Sequence, residues 1–318
     1  MEKTLTAKTS KAPATSLEQS RYPDLLAAID MGSNSFRLEI GQLSKGRYKR
    51  IEYLKETVRL GGGLDSHGML TEEATQRGLA CLAQFAQRLK GFASWQVRAV
   101  ATQTLREARN RDAFLQRADR VLGHRIEVIA GREEARLIYL GVSRLQPSEL
   151  PRLVIDIGGR STEMILGHGR TPIRKESFGV GSVSLSMQHF PKGQYTAENF
   201  RAAQIAAGAE LEEALTLFER SQWQEALGSS GTVGAVSQIL AANGITDGSI
   251  TPEALRWCME RCIEAGSAEL LSLPGLKPER KPVLAGGLCI LYTLASHFDI
   301  EALRPATGAL RPGVILDV

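Results

Sequence analysis

Two stretches of this 318-residue chain repeat one another 126 positions apart: AIDMGSNSFRLEIG at 28–41 and VIDIGGRSTEMILG at 154–167. Five of the fourteen positions are identical, pairing Ile29 with Ile155, Asp30 with Asp156, Gly32 with Gly158, Ser35 with Ser161 and Gly41 with Gly167. Each copy reads as an apolar strand ending in an aspartate, a turn of small residues, and a second apolar run. A duplicated strand–turn–strand unit implies two halves of one architecture, each with its own sheet.

The text after each copy supports this. A third strand is expected around 47–55 in the first half and 171–178 in the second. The first half continues as a helix near 72–90, a strand near 96–101, a helix near 111–121, a strand near 125–130 and a helix near 132–144. LQPSELP, with two prolines, punctuates 145–151. Beyond it, helices are expected near 196–220, 231–243, 252–272 and 282–297. Strands alternating with helices of this length indicate an α/β class with covered mixed sheets. The division is a tail over 1–23, one domain over 24–146 and a second over 147–318. The tail is rich in Ser, Thr, Ala and Lys without apolar periodicity and reads as flexible.

Composition narrows the setting. No apolar run approaches the roughly 18 residues of a membrane span, and the first 23 residues lack a signal-peptide core. Cys81, Cys258, Cys262 and Cys289 have neither the density nor the spacing of a disulfide framework or a zinc site, so reduced thiols in the cytoplasm are expected. Cys258 and Cys262, four apart on one helix, read as core packing. The net charge of +4 and the cluster Arg47, Lys49, Arg50 and Lys55 suit a polyanionic ligand and suit an ordinary solvated surface equally well. No nucleic-acid motif is present.

The chemistry resides in the turns. Small residues let backbone N–H groups approach an anion, so Gly32, Ser33, Asn34 and Ser35 in one copy face Gly158, Gly159, Arg160, Ser161 and Thr162 in the other as candidate phosphate grips. A third segment, Gly228, Ser229, Ser230, Gly231 and Thr232, precedes a helix whose free N-terminal amides would add donors. Asp30, Asp156 and Glu163 stand beside these turns. Mg²⁺ favours one or two carboxylates completed by phosphate and water, so these three are candidate ligands; a turn-capping role is the plainer alternative.

Taken together, IDMGSNSF at 29–36, VRLGGGL at 58–64, ATQTLREARN at 101–110, GREEARLIYLGV at 131–142, VIDIGGRSTE at 154–163, FGVGSV at 178–183, GSSGT at 228–232 and LPGLKPERKPVLAGG at 273–287 resemble the exopolyphosphatase and guanosine-pentaphosphate phosphatase family. The resemblance spans about 24–318. It implies two actin-like, ribonuclease H-like domains of the actin, sugar kinase and heat-shock chaperone superfamily. It implies an enzyme that releases the terminal phosphate of inorganic polyphosphate or guanosine pentaphosphate with Mg²⁺ or Mn²⁺. By the same matching Glu134 is the base that activates water, Arg106 contacts phosphate, Asp156 and Glu163 handle metal or phosphate, and the three loops bind phosphate. His67, His124, His168, His189 and His297 match no catalytic role.

The chain departs from the pattern in two places. Arg160 stands where the family has a third glycine. If that turn requires φ > 0, the residue costs about 1 kcal/mol of strain and the loop shifts; a guanidinium beside the terminal phosphate would instead add charge there. The chain also ends soon after ALRPG at 309–313, so a short form is expected, less suited to very long polyphosphate. A phosphotransferase and a non-catalytic polyphosphate or alarmone sensor stay open as alternative readings, as does a homodimer.

Overall fold

The computed structural model describes residues 20–317. In the first half β1 (Leu25–Met31), β2 (Phe36–Ser44) and β3 (Arg47–Glu56) form an antiparallel meander, and β4 (Val97–Ala101) and β5 (Ile126–Val128) add in parallel on the other side of β1, giving the order β3-β2-β1-β4-β5. The second half repeats the plan with β6 (Arg152–Ile157), β7 (Thr162–His168), β8 (Thr171–Phe178), β9 (Glu225–Ser229) and β10 (Leu303–Pro305), ordered β8-β7-β6-β9-β10 with the same directions. The internal repeat is therefore the central hairpin of each sheet, β1–β2 and β6–β7. The duplicated, ribonuclease H-like plan expected from the resemblance holds.

The repeat's last identity has a physical cause. Gly41 and Gly167 mark the same register shift, one in the β2–β3 ladder and one in β7–β8. A side chain at Gly41 would collide with the Tyr48 ring, and one at Gly167 with the Tyr139 ring. Each bulge thus accommodates a tyrosine laid across the strand.

In the first half, α1 (Glu72–Arg88) and α3 (Arg111–Leu122) pack on each other and on the sheet, with the short α2 (Gln103–Glu107) between β4 and α3. Thr71 caps α1 by accepting from the Ala74 N–H at 3.3 Å. The second half carries α5 (Ser182–His189), α6 (Ala197–Glu210), α7 (Glu212–Leu217), α8 (Gly231–Ala242), α9 (Pro252–Ala265) and α10 (Lys281–His297) around one large apolar core. Two expected helices differ in extent. The one near 196–220 is interrupted at Leu211, whose N–H closes α6 by donating back to the Ala207 carbonyl and whose backbone leaves the helical region before α7 restarts at Glu212. The one near 252–272 stops at Gly266, which takes a left-handed φ of 73° and caps the helix.

A third core lies between the sheets. The helices α4 (Gly131–Leu145) and α11 (Leu310–Leu316) pack on each other there, joined by Leu26, Ala28 and Val100 from the first sheet and Val154, Ile165 and Leu227 from the second. α4 lies against β7 and β8 of the second sheet while α11 lies against β1 and β2 of the first, so each half contributes a helix to the other's sheet. The division near 146 in the sequence thus runs beside a shared apolar layer.

The tail reading falls on residues 1–19, outside the described residues, and on 20–23. There the Arg21 N–H donates to the Gly91 carbonyl at 3.0 Å, and the Tyr22 ring packs on Phe92 with centroids 5.3 Å apart. No helix among the described residues is long and apolar enough to cross a membrane. The four cysteines are buried free thiols, and burial pushes Cys81, Cys258 and Cys262 up to about 12.

Candidate active site

A cleft of about 400 Å³ opens between the sheets, where β1, β6 and β9 all end. The three small-residue turns meet around it: Gly32, Ser33, Asn34 and Ser35 from β1–β2, Gly158, Gly159 and Ser161 from β6–β7, and Gly228–Thr232 leading into α8. In the third turn the Ser230 backbone adopts φ 112°, and its hydroxyl accepts from the Thr232 and Val233 N–H groups, capping α8. A Cβ at Gly231 beside it would meet the Arg280 guanidinium laid over that helix end, so a larger residue there would displace that arginine. The Ser35 hydroxyl is buried against the cleft with no partner.

Two predicted loop residues face elsewhere. The Thr162 hydroxyl donates to the Val180 carbonyl at 2.7 Å and is fully buried. Arg160 lies outside the cleft lining, and its φ is not positive, so the strain expected of a non-glycine residue there is absent. Its guanidinium reaches across to the first half instead, pairing with Glu107 at 2.6 Å.

Glu134 sits in the first turn of α4, 8% exposed, with its carboxylate toward the cleft. Arg106 Nη1 donates to Glu134 Oε2 at 2.8 Å and to the Ile129 carbonyl at 2.9 Å. The remaining fork of Arg106 is held by Gln103, and Nη2 lies 4.0 Å from Glu163 Oε1, so this arginine stands behind Glu134 with most of its donors engaged by protein groups. Burial raises Glu134 well above the usual carboxylate range, the charge of Glu163 adds to this, and Arg106 opposes it.

The repeat places different partners opposite its two aspartates. In the first sheet Asp30 faces Arg37, and Oδ2 accepts from Arg37 and from Arg311 of α11, both at 3.1 Å. In the second sheet Asp156 faces Glu163. Like charges directly opposite on buried strands are costly. Burial raises both carboxyls, Glu163 to about 7 with Asp156's charge adding to it. Ser177 donates to Glu163 Oε1 at 2.7 Å, while Oε2 is buried without a partner.

That orphaned oxygen and the doubled negative charge fit a hard divalent cation, whereas Asp30 is already neutralised by two arginines. Among the described residues no three ligating side chains cluster into a complete cage. Two carboxylates completed by substrate oxygens and water is the pattern Mg²⁺ accepts.

Of the basic cluster read from the sequence, Lys55 lines the cleft and Arg47, Lys49 and Arg50 do not, while the other cations here were not singled out. Arg37, Lys55, Lys277 and Arg280 line the cleft, and Arg311 joins them from α11. Lys55 is lowered by burial and then by Arg280 and Arg37, and Arg280 by burial and then by Arg37. Cations gathered this closely, and partly buried, make a site that gains from an anion. LKPER carried the signal for Lys277 and Arg280, yet only the fold brings that segment to β2 and β3.

The family model for the Ppx/GppA phosphatase family matches residues 40–318. A Haemophilus influenzae protein named, by inference, an exopolyphosphatase is 42% identical over 91% of this chain and 90% of its own length. A guanosine-5'-triphosphate,3'-diphosphate pyrophosphatase of Pseudoalteromonas atlantica is 41% identical over 95% of this chain, which spans 60% of that protein. The solved Aquifex aeolicus PPX-GPPA enzyme superposes with a TM-score of 0.75 at 26% identity, covering 92% of this chain and 99% of that one. With most of its length matched by the family model and two relatives above 40% identity, the chain belongs to the Ppx/GppA phosphatase family.

Proposed function

We propose that the cleft hydrolyses a terminal phosphoanhydride, releasing orthophosphate from inorganic polyphosphate, guanosine pentaphosphate or both, in the cytoplasm. The observation that carries this reading is the buried Glu134 carboxylate on the wall of a cleft lined by three anion-gripping turns. Such a carboxylate orients an attacking water and accepts its proton, while loop amides and the helix α8 end hold the phosphoryl oxygens. The cations Arg37, Lys55, Lys277 and Arg280 suit the rest of a polyanionic chain. Asp156 and Glu163 would hold Mg²⁺ or Mn²⁺, which when bound neutralises charge on phosphate oxygens.

Phosphate release from polyphosphate and from guanosine pentaphosphate, each with Mg²⁺, tests the proposal. Orthophosphate should appear from the first turnover, leaving chains shortened one unit at a time. Tight binding with no release would favour a sensor, and release that requires an added hydroxyl acceptor would favour a phosphotransferase.

A further inference from the structure

Arg160 is the residue by which the second phosphate turn departs from its family pattern, and its side chain leaves the cleft to enter the first half. Nε and Nη2 both reach Glu107 Oε2, at 2.8 and 2.6 Å, and Nη1 donates to the Gly61 carbonyl at 3.3 Å. The other Glu107 oxygen accepts from Gln103 Nε2 at 2.7 Å. Gln103 Oε1 in turn accepts from Arg106 Nε at 2.9 Å and Nη2 at 2.7 Å, which leaves Arg106 Nη1 for Glu134. These contacts form one unbroken series from a loop of the second half to the candidate base of the first.

We infer that Arg160 is a positioning residue, acting through Glu107 and Gln103 to set the orientation of Arg106 against Glu134 when the two halves are closed on each other. The inference rests on the hydrolase reading above. α2, which carries Gln103, Arg106 and Glu107, has five residues and is too short to hold their side chains by itself. An amide side chain can turn either end toward a neighbour. With Glu107 accepting from its nitrogen, Gln103 must present oxygen to Arg106; reversed, it would present a donor to a donor. Glu107 is partly exposed and would wander among rotamers without the guanidinium that clamps it. An exposed ion pair of this kind adds little to stability, so its effect falls on geometry. Because Arg160 belongs to the other half, an opened cleft would release Glu107 and loosen the base's partner, and a closed one would fix both.

The test is a kinetic double-mutant cycle with polyphosphate and Mg²⁺. Arg160→Met should lower kcat about three- to tenfold while changing KM less than about twofold, and Glu107→Met should do at least as much. Because the two act in series, the double variant should be no slower than Glu107→Met alone. Arg160→Lys should recover part of the loss. A wild-type kcat in Arg160→Met, effects that multiply in the double variant, or a loss confined to KM would overturn the inference. The last of these would make Arg160 a substrate ligand.

A second readout needs no turnover. The Arg106 Nε–H resonance, identified by its loss in Arg106→Lys, should be sharp in the wild type and broadened in Arg160→Met; an unchanged resonance would count against the relay. If the wild type releases no phosphate, the hydrolase reading fails while this resonance still decides whether the relay exists.

Discussion

Glu134→Gln is expected to bind polyphosphate within about twofold of the wild type while its turnover falls by about 10²–10⁴, the range for loss of a positioned general base. Glutamine keeps the volume of the side chain, and its carbonyl can still accept from Arg106 Nη1, so the ion-pair geometry has a neutral substitute. What it lacks is the capacity to take a proton from water. The cations and turn amides that would grip substrate are untouched, which is why binding should survive. The pH profile of the wild type follows from the same residue. A base works unprotonated, and burial raises Glu134 well above the usual carboxylate range, so activity should decline on acidification at a pH higher than an ordinary glutamate would give. Single-turnover phosphate release and a binding titration on the same variant check both halves of the expectation. Wild-type turnover would remove Glu134 from the mechanism.

Removing divalent metal should abolish hydrolysis, by at least about 100-fold, and should also alter stability in a pH-dependent way. Glu163 is held near 7 in the folded protein against an ordinary 4.5. A raised folded value means the native state keeps a proton that the unfolded state gives up. The stabilisation is therefore complete below about 4.5 and is lost as pH rises toward 7. At about 1.4 kcal/mol per pH unit the loss is on the order of a few kcal/mol.

A cation bound between Asp156 and Glu163 should replace the proton. Mg²⁺ is thus expected to raise Tm clearly at pH 8 and hardly at pH 5, and Glu163→Gln should remove most of that pH-dependent difference. Thermal melts with Mg²⁺ and with EDTA at the two pH values measure it. Full activity in excess EDTA, or a Mg²⁺ effect equal at both pH values, would exclude this carboxylate pair as the metal site.

Much of this was legible before the fold was known, and for a physical reason: the site is built from local turns. A strand ending in Asp-x-Gly specifies its own sharp reversal, so the two repeat turns could be read from short windows, and the small residues ahead of a helix marked the third candidate turn. The duplication then said that two of them occupy equivalent places in two sheets. Glu134 was reached through the family pattern, since an acid in a first helical turn is ordinarily a solvated partner of the helix dipole.

What escaped reading depends on register and on distant segments. Arg37 and Glu163 occupy the same repeat position, yet only the cross-strand pairing shows that one neutralises its aspartate and the other doubles the charge. Arg311 acts from α11, 281 residues beyond Asp30 in sequence. Lys55, Lys277 and Arg280 converge from a strand and a loop of different halves. For Arg160 the sequence offered backbone strain or charge beside a phosphate, and only the fold shows its guanidinium paired with Glu107 of the other half.

The most direct test of the central claim is hydrolysis of polyphosphate in ¹⁸O-enriched water under single-turnover conditions. Attack by a water held at Glu134 on the terminal phosphorus places one solvent oxygen in each released orthophosphate and none in the shortened chain. Finding the solvent oxygen in the shortened chain, or released phosphate carrying none, would contradict the account.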